Sequence, residues 1–292
     1  MSFVITTVSP ETVVQLSDTR LSSLADQSVL SESLRKSLVV KGTEAQFVLG
    51  WTGLATTESG HSTADWLFRV LFEMNAVRLS PEQLVGNLAE LATAQFRMLR
   101  AADKRSEFVL GGWHKSEPFV GVISNYVVMD VAQRSDSESR HHIPSFSEAS
   151  VAAAKFQGWV ERFRNLTERH YVVSVIGDCD PKKLKTLFRG LEGLLKKRVS
   201  AARIRLACRQ IALEAGRHSK TIGKDLIAIE IDCTGHIYSS HYSEEGTETM
   251  LLPDMLSLQG GSTQMTVSTG VSRDQAMVRV RGKIIKQPMM RR

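Results

Sequence analysis

Thr12-Val13-Val14-Gln15-Leu16-Ser17-Asp18-Thr19-Arg20-Leu21-Ser22-Ser23 decides how this chain is read. Residues 12–16 form a β-branched, apolar run, and Asp18-x-Arg20 falls where such a strand would end. Upstream, residues 3–8 are a second run of this kind, and Ser9-Pro10-Glu11 supplies a turn. The two runs predict an N-terminal β-hairpin. Downstream, residues 37–40 and 46–49 predict another hairpin around Lys41-Gly42-Thr43-Glu44. Its second strand runs into the turn Gly50-Trp51-Thr52-Gly53-Leu54-Ala55.

Helices follow. Trp66, Leu67, Val70, Leu71 and Met74 have helical spacing behind a cap at Ser62 or Thr63. Ser80-Pro81-Glu82-Gln83 combines a capping residue, a proline at the first helical position and polar side chains in the first turn. Strands are predicted over 107–113 and 119–129, a polar loop over 130–147 and a helix over 148–167. A strand over 171–176 and helices over 181–197 and 201–217 come next. A hairpin turning at Cys233-Thr234-Gly235 and two weaker strands near 263–267 and 275–280 complete the reading. Hairpins, a helix pair, strands, a second helix pair and a late hairpin predict layered α/β (α+β) structure. Strict βαβ alternation is not the pattern.

The chain has 292 residues, 42% hydrophobic and 23% charged, enough to bury a core without disulfides or metals. No apolar run approaches the roughly 18 residues of a membrane span, and the N-terminus lacks a signal-peptide pattern. Cys179, Cys208 and Cys233 include no CxxC pair, so no zinc site or disulfide framework is implied. A cytoplasmic protein is the economical expectation. The +6 charge gathers partly in Lys182-Lys183-Lys185 and Lys196-Lys197-Arg198, on one predicted helix, and in the tail. Without interleaved aromatics these read as solvated faces, and neither nucleic acid nor membrane is an expected partner. His141 and His142 are adjacent and point apart in extended chain, with no partner at metal-ligand spacing, so no metal is expected.

The first fifty-five residues can carry chemistry. A serine hydroxyl is a poor nucleophile until a base takes its proton. At a chain terminus the α-amine supplies that base, with a pKa of roughly 7.7–8.0. Removal of Met1 would make Ser2 such a terminus. Lys36 opens the third predicted strand, Asp18 can balance it, and glycine N–H groups in the 50–53 turn can hold an oxyanion. Thr6-Thr7 is a rival start, but cleavage before it would leave too short a first strand. Ser-x-x-Lys at residues 33–36 matches a penicillin-binding motif by letters alone.

The run TVVQLSDTRLSS resembles the second-strand signature of proteasome β-type subunits and their bacterial relatives, which are N-terminal nucleophile hydrolases. In that family Asp-x-Arg follows sixteen residues after the nucleophile, and counting back from Asp18 lands on Ser2. The basic pair Arg35-Lys36 and the 50–53 turn fall where the family carries its lysine and oxyanion glycine. Residues 201–231 resemble its late helix, glycine turn and strand. The matching stretches cover a third of the chain.

The resemblance implies a four-layer αββα sandwich over residues 1–242, with residues 243–292 as a C-terminal extension. It implies Ser2, Asp18, Lys36 and Gly53 as catalytic residues, with Arg20, Gly50, Ser219 and Asp225 in support. Peptide hydrolysis without a cofactor, and homo-oligomeric assembly, are the expected properties. One departure stands out: the turn 218–223 lacks the family's aspartate, for which Asp225 is the available substitute. A non-catalytic, structural family member and an amidase acting on small amides are the alternatives.

Overall fold

The computed structural model describes residues 2–23, 27–57, 59–101, 103–125, 140–142, 155–162, 171–177, 179–259, 262–268, 275–280 and 283–288. The chain begins with strands β1 (Phe3–Val8), β2 (Thr12–Asp18), β3 (Leu21–Ser22), β4 (Val29–Ser31), β5 (Ser37–Lys41) and β6 (Ala45–Gly53). Helices α1 (Thr63–Glu73) and α2 (Pro81–Met98) follow. Strands β7 (Ser106–His114), β8 (Glu117–Ser124), β9 (Arg140–His142), β10 (Gln157–Arg162) and β11 (Val172–Gly177) lead to helices α3 (Pro181–Lys196) and α4 (Ala201–His218). Next come β12 (Leu226–Asp232), β13 (Ile237–Tyr242) and β14 (Glu248–Met250). The last strands are β15 (Met255–Gln259), β16 (Ser262–Ser268), β17 (Gln275–Val280) and β18 (Lys283–Pro288).

Two large sheets result. The first has the order β14-β13-β12-β2-β1-β11-β9, the second β10-β8-β7-β6-β5-β15-β16-β17-β18. Pairing is antiparallel except at β9–β11 and β5–β15. The N-terminal hairpin therefore lies inside the first sheet, and the hairpin of β5 and β6 inside the second.

Side-chain alternation sorts the apolar residues into three clusters. Val4 and Val8 of β1 meet Val39, Val48, Val109 and Val122 of the second sheet, so the sheets face each other. Phe3 and Ile5 point the other way, to Phe188, Ile204, Cys208 and Ile211 of α3 and α4. Phe47, Leu49 and Trp51 of β6 likewise point outward, to Trp66, Leu67 and Leu88 of α1 and α2. The described chain is thus a mixed α+β protein with two mostly antiparallel sheets and a helix pair against each outer face.

The helix starts match their sequence signals. Ser62 accepts from the Asp65 N–H, and Ser80 with Gln83 closes a full capping box before Pro81. One predicted element is corrected. Where described, the stretch expected as a helix over 148–167 forms strand β10, paired along β8 from Gln157 with Ser124 to Arg162 with Phe119. Gly158 passes so near α2 that an added Cβ would lie 2.4 Å from Val85 Cγ1. Pairing of a sheet edge overrode local propensity. The predicted 130–147 loop also contains a described strand, β9, and its remaining residues lie outside the described ones. Among the described residues, no helix is long and apolar enough to cross a membrane.

Candidate active site

The site lies where the inner strands of both sheets end. Ser2 precedes β1 and is 6% exposed. It shares the strand face of Val4, which is the face turned to the second sheet. The backbone directly after it is fastened: the Phe3 N–H donates to Asp18 Oδ1 at 2.8 Å.

Asp18 ends β2 and is fully buried. Its Oδ2 accepts from Lys36 Nζ at 2.9 Å, from the Gly223 N–H at 3.0 Å and from the Arg20 N–H at 3.1 Å. Four N–H donors thus satisfy one carboxylate without solvent. Lys36, just before β5, also donates to the Arg20 carbonyl at 2.5 Å. Burial lowers the Lys36 pKa below the ordinary lysine value, against the pull of the Asp18 charge and hydrogen bond. The Lys36 carbonyl accepts from the Trp51 N–H, which ties the lysine to the end of β6; residues 50–53, expected as a turn, are strand paired with residues 106–109 of β7.

Gly53 has φ +96°, and a Cβ there would lie 2.0 Å from the Arg105 carbonyl oxygen. Only glycine fits that geometry. Beyond it, the Leu54 N–H donates to Ser106 Oγ. Gly50 is set by packing between the sheets, because a Cβ would lie 2.7 Å from Gln15 Oε1 and 2.8 Å from Val4 Cγ1.

The supporting residues divide. Arg20 meets Asp18 and Lys36 through its backbone, while its guanidinium pairs with Glu32 and donates to the Lys220 carbonyl at 2.9 Å. Ser219 Oγ engages Thr221 Oγ1 at 2.8 Å within the late turn. The Asp225 carboxylate accepts from the Glu244 N–H at 2.7 Å and faces His241 Nε2 at 3.8 Å, while its carbonyl accepts from Thr19. The late turn reaches Asp18 through Gly223 instead.

Gly223 closes the His218-Ser219-Lys220-Thr221-Ile222-Gly223 turn, and no local signal marks it as a partner of Asp18. Gly177 is a second such residue. With φ +102°, it passes Ser2 so closely that a Cβ would lie 1.8 Å from the Ser2 carbonyl oxygen. Its N–H donates across the sheets to the fully buried Glu107 at 3.2 Å. A lone acid near the start of an apolar strand is the sequence signal that could have revealed Glu107.

Cys208 is buried in the α3–α4 cluster, which pushes its thiol up to about 12. Cys179 is buried in the same cluster. Among the described residues, no three His, Cys, Asp or Glu side chains gather as a metal-binding group.

No protein-family model matches the chain, and no curated protein matches it in sequence. Solved structures do match. The Gly-1 mutant of Anbu from Hyphomicrobium sp. strain MC1 aligns with a TM-score of 0.52 at 12% identity, covering 86% of this chain and 87% of that one. Anbu from Yersinia bercovieri, an ancestral beta-subunit, aligns with a TM-score of 0.52 at 16% identity, covering 85% and 86%. The chain has the fold of these Anbu subunits.

Proposed function

We propose that the chain is a proteasome-like N-terminal nucleophile peptidase, built as a four-layer αββα sandwich over residues 1–242 with residues 243–292 as an extension. The observation that carries this reading is one buried carboxylate. Asp18 fastens the backbone after Ser2, the buried Lys36 and the Gly223 turn together. A purely structural strand end would not require a buried lysine with a lowered pKa beside the chain start.

Once Met1 is removed, the Ser2 α-amine takes the Oγ proton and Oγ attacks the amide carbonyl. The Lys36 charge, held by Asp18, favours the developing alkoxide, and Gly53 at the end of β6 offers its N–H to the oxyanion. The protonated α-amine then returns its proton to the leaving nitrogen. An ester on Ser2 remains, and water activated by the same amine releases it. No cofactor or metal enters these steps. Likeness to a beta-subunit fold supports assembly as a homo-oligomer; action on peptides in the cytoplasm is inferred from the sequence alone.

Intact mass and an active-site-directed electrophile test the proposal. Loss of Met1 and stoichiometric labelling on Ser2 are expected. A mature chain that keeps Met1, or one that loses it and resists labelling, would overturn it. Resistance after Met1 loss would support the second reading, a non-catalytic structural subunit. The orientation of Asp225 toward Glu244 and His241 favours that reading. If labelling succeeds, peptide and small acylated-amine libraries separate a peptidase from a small-amide hydrolase.

A further inference from the structure

The two facing sheets do not end together. The first closes with the short edge strand β14, while the second continues past β5 into β15 and beyond. Val39 faces inward, so alternation puts Lys41 on the inner side of β5, and pairing with Val39 puts Met255 of β15 there too. Alternation from the inward-facing Ile237 puts Ser239 on the inner side of β13. These faces border a cavity of about 520 Å³, lined by Lys41, Ile237, Ser239, Leu251 and Met255 among others. That volume suits a small molecule. The cavity lies away from the candidate active site. Asp18 pairs with Leu226 at one end of the β2–β12 ladder, whereas Gly235 and His236, which also line the cavity, follow Asp232 at the other.

The walls are apolar and fixed. Ile237, Leu251 and Met255 are partly buried at the margin of the inter-sheet cluster. The Leu251 N–H donates to the Ser239 carbonyl at 3.0 Å, and the Val39 N–H to the Asp254 carbonyl at 2.8 Å. Arg35 Nη1 donates to the Leu252 carbonyl at 2.8 Å.

Two polar groups interrupt this lining, one deep and one at the mouth. Ser239 is 3% exposed, and its Oγ has no hydrogen-bond partner among the described residues. An alanine would line the cavity without stranding a hydroxyl, so the serine calls for a partner. Lys41 is exposed, and its Nζ donates to the Gly235 carbonyl at 3.0 Å, which leaves two of its three protons. Among the described residues it forms no ion pair. The neighbouring acids are engaged, Asp232 with Thr234 and His236, and Asp254 with Arg35. Gly235, where Lys41 is anchored, and Ser239 are four residues apart, a span of up to about 13 Å in extended chain.

We propose that this cavity binds an aliphatic monocarboxylate that carries a second oxygen near its far end. Lys41 holds the carboxylate at the mouth, Ile237, Leu251 and Met255 cover the chain, and the Ser239 hydroxyl meets the buried oxygen. A peptide fits less well, because its amides would find few partners along these walls. The assignment is independent of the chemistry at Ser2.

The test uses the full chain with 10-hydroxydecanoate and decanoate as probes, followed by calorimetry and by the methyl resonance of 13C-labelled Met255. Saturable binding of 10-hydroxydecanoate with a shift of that methyl is expected. Lys41→Met should weaken both probes about tenfold, and Ser239→Ala should weaken only the hydroxylated one, about fivefold. Ser239→Ala should melt no lower than the original chain, because it breaks no hydrogen bond. No saturable binding, or unchanged 10-hydroxydecanoate affinity in either variant, would overturn the proposal. Equal losses of both probes in Ser239→Ala would overturn it as well. If Lys41→Met does not fold, Lys41→Gln replaces it.

Discussion

Lys36 Nζ lies 2.9 Å from Asp18 Oδ2, and both side chains are closed to solvent. Breaking such a pair from one side leaves a buried charge without its counterpart, at a cost of about 3–5 kcal/mol. Asp18→Asn and Lys36→Met should each lower the unfolding free energy measured in urea by that order. The double variant should lose less than the two together, with a coupling of about 1–3 kcal/mol. It should not regain full stability, because Asp18 also receives the Phe3, Arg20 and Gly223 N–H groups. Additive losses in a denaturation cycle would show that the pair is not coupled.

The pH dependence of Lys36 has a definite sign. Burial holds its folded pKa below 10.5, so folding disfavours the ammonium. Between the folded value and the ordinary one, the unfolded chain binds more protons than the native chain. Stability therefore climbs with pH across that window. Lys36→Met should lack this climb. The check is the difference in urea midpoint between the two proteins as pH is raised toward 10.5. A flat or falling difference would contradict the assignment.

Much of this structure is legible locally. The hairpin of β1 and β2, the Ser62 and Ser80 caps and the β12–β13 hairpin each rest on residues a few positions apart. The closeness of Asp18 and Lys36 was reachable only through resemblance, because it depends on two sheets facing each other. What stayed hidden is long-range. Gly223 reaches Asp18 across 205 residues, and Gly177 reaches Glu107 across 70. Strand β10 owes its form to the edge of β8, which no window around residues 157–162 contains. Arg20 misleads in another way. Its position is informative, but its backbone, not its charge, serves Asp18.

Gly177→Ala separates site geometry from global stability. A methyl there would collide with the Ser2 carbonyl and demand φ near +102° of an alanine. The substitution should cost about 1–3 kcal/mol. It should also move Ser2, cutting electrophile labelling by more than tenfold in the protein that remains folded. Gly60→Ala carries a similar backbone strain, at φ +88°, but its added Cβ meets nothing within 4 Å. Labelling per folded molecule, measured beside each melting curve, distinguishes them. Unchanged labelling in Gly177→Ala would remove the glycine from the site.

Glu82 supplies an acid-side counterpart. Arg162 grips it with two 2.6 Å bonds, which joins β10 to the first turn of α2 and lowers the Glu82 carboxyl to about 2. Its stabilising contribution is whole above the ordinary value of 4.5 and fades as pH falls from there through about 2. Solvent screening at the exposed Glu82 keeps it below about 1 kcal/mol. Glu82→Gln should flatten this part of the acid unfolding curve, followed by tryptophan fluorescence. A variant that unfolds along the same curve would show that the pair adds nothing.

Arg20→Ala divides the two halves of its role. The N–H to Asp18 and the carbonyl to Lys36 are backbone groups and survive the substitution. What goes is the fork binding Glu32 and the Lys220 carbonyl, and with it the brace behind the late turn. Gly223 packs directly on this brace, since a Cβ there would meet Arg20 Cβ at 2.9 Å and Glu32 Oε2 at 3.0 Å. Hydrogen exchange over residues 218–223 should therefore quicken, while overall stability falls by only about 1 kcal/mol. Ser2 labelling should drop less than tenfold, in contrast to its loss in Asp18→Asn. Arg20→Lys should not restore exchange protection, because an ammonium cannot span the carboxylate and the carbonyl as the planar fork does. Full protection in Arg20→Ala would mean that the turn is held by Gly223 and Asp18 alone.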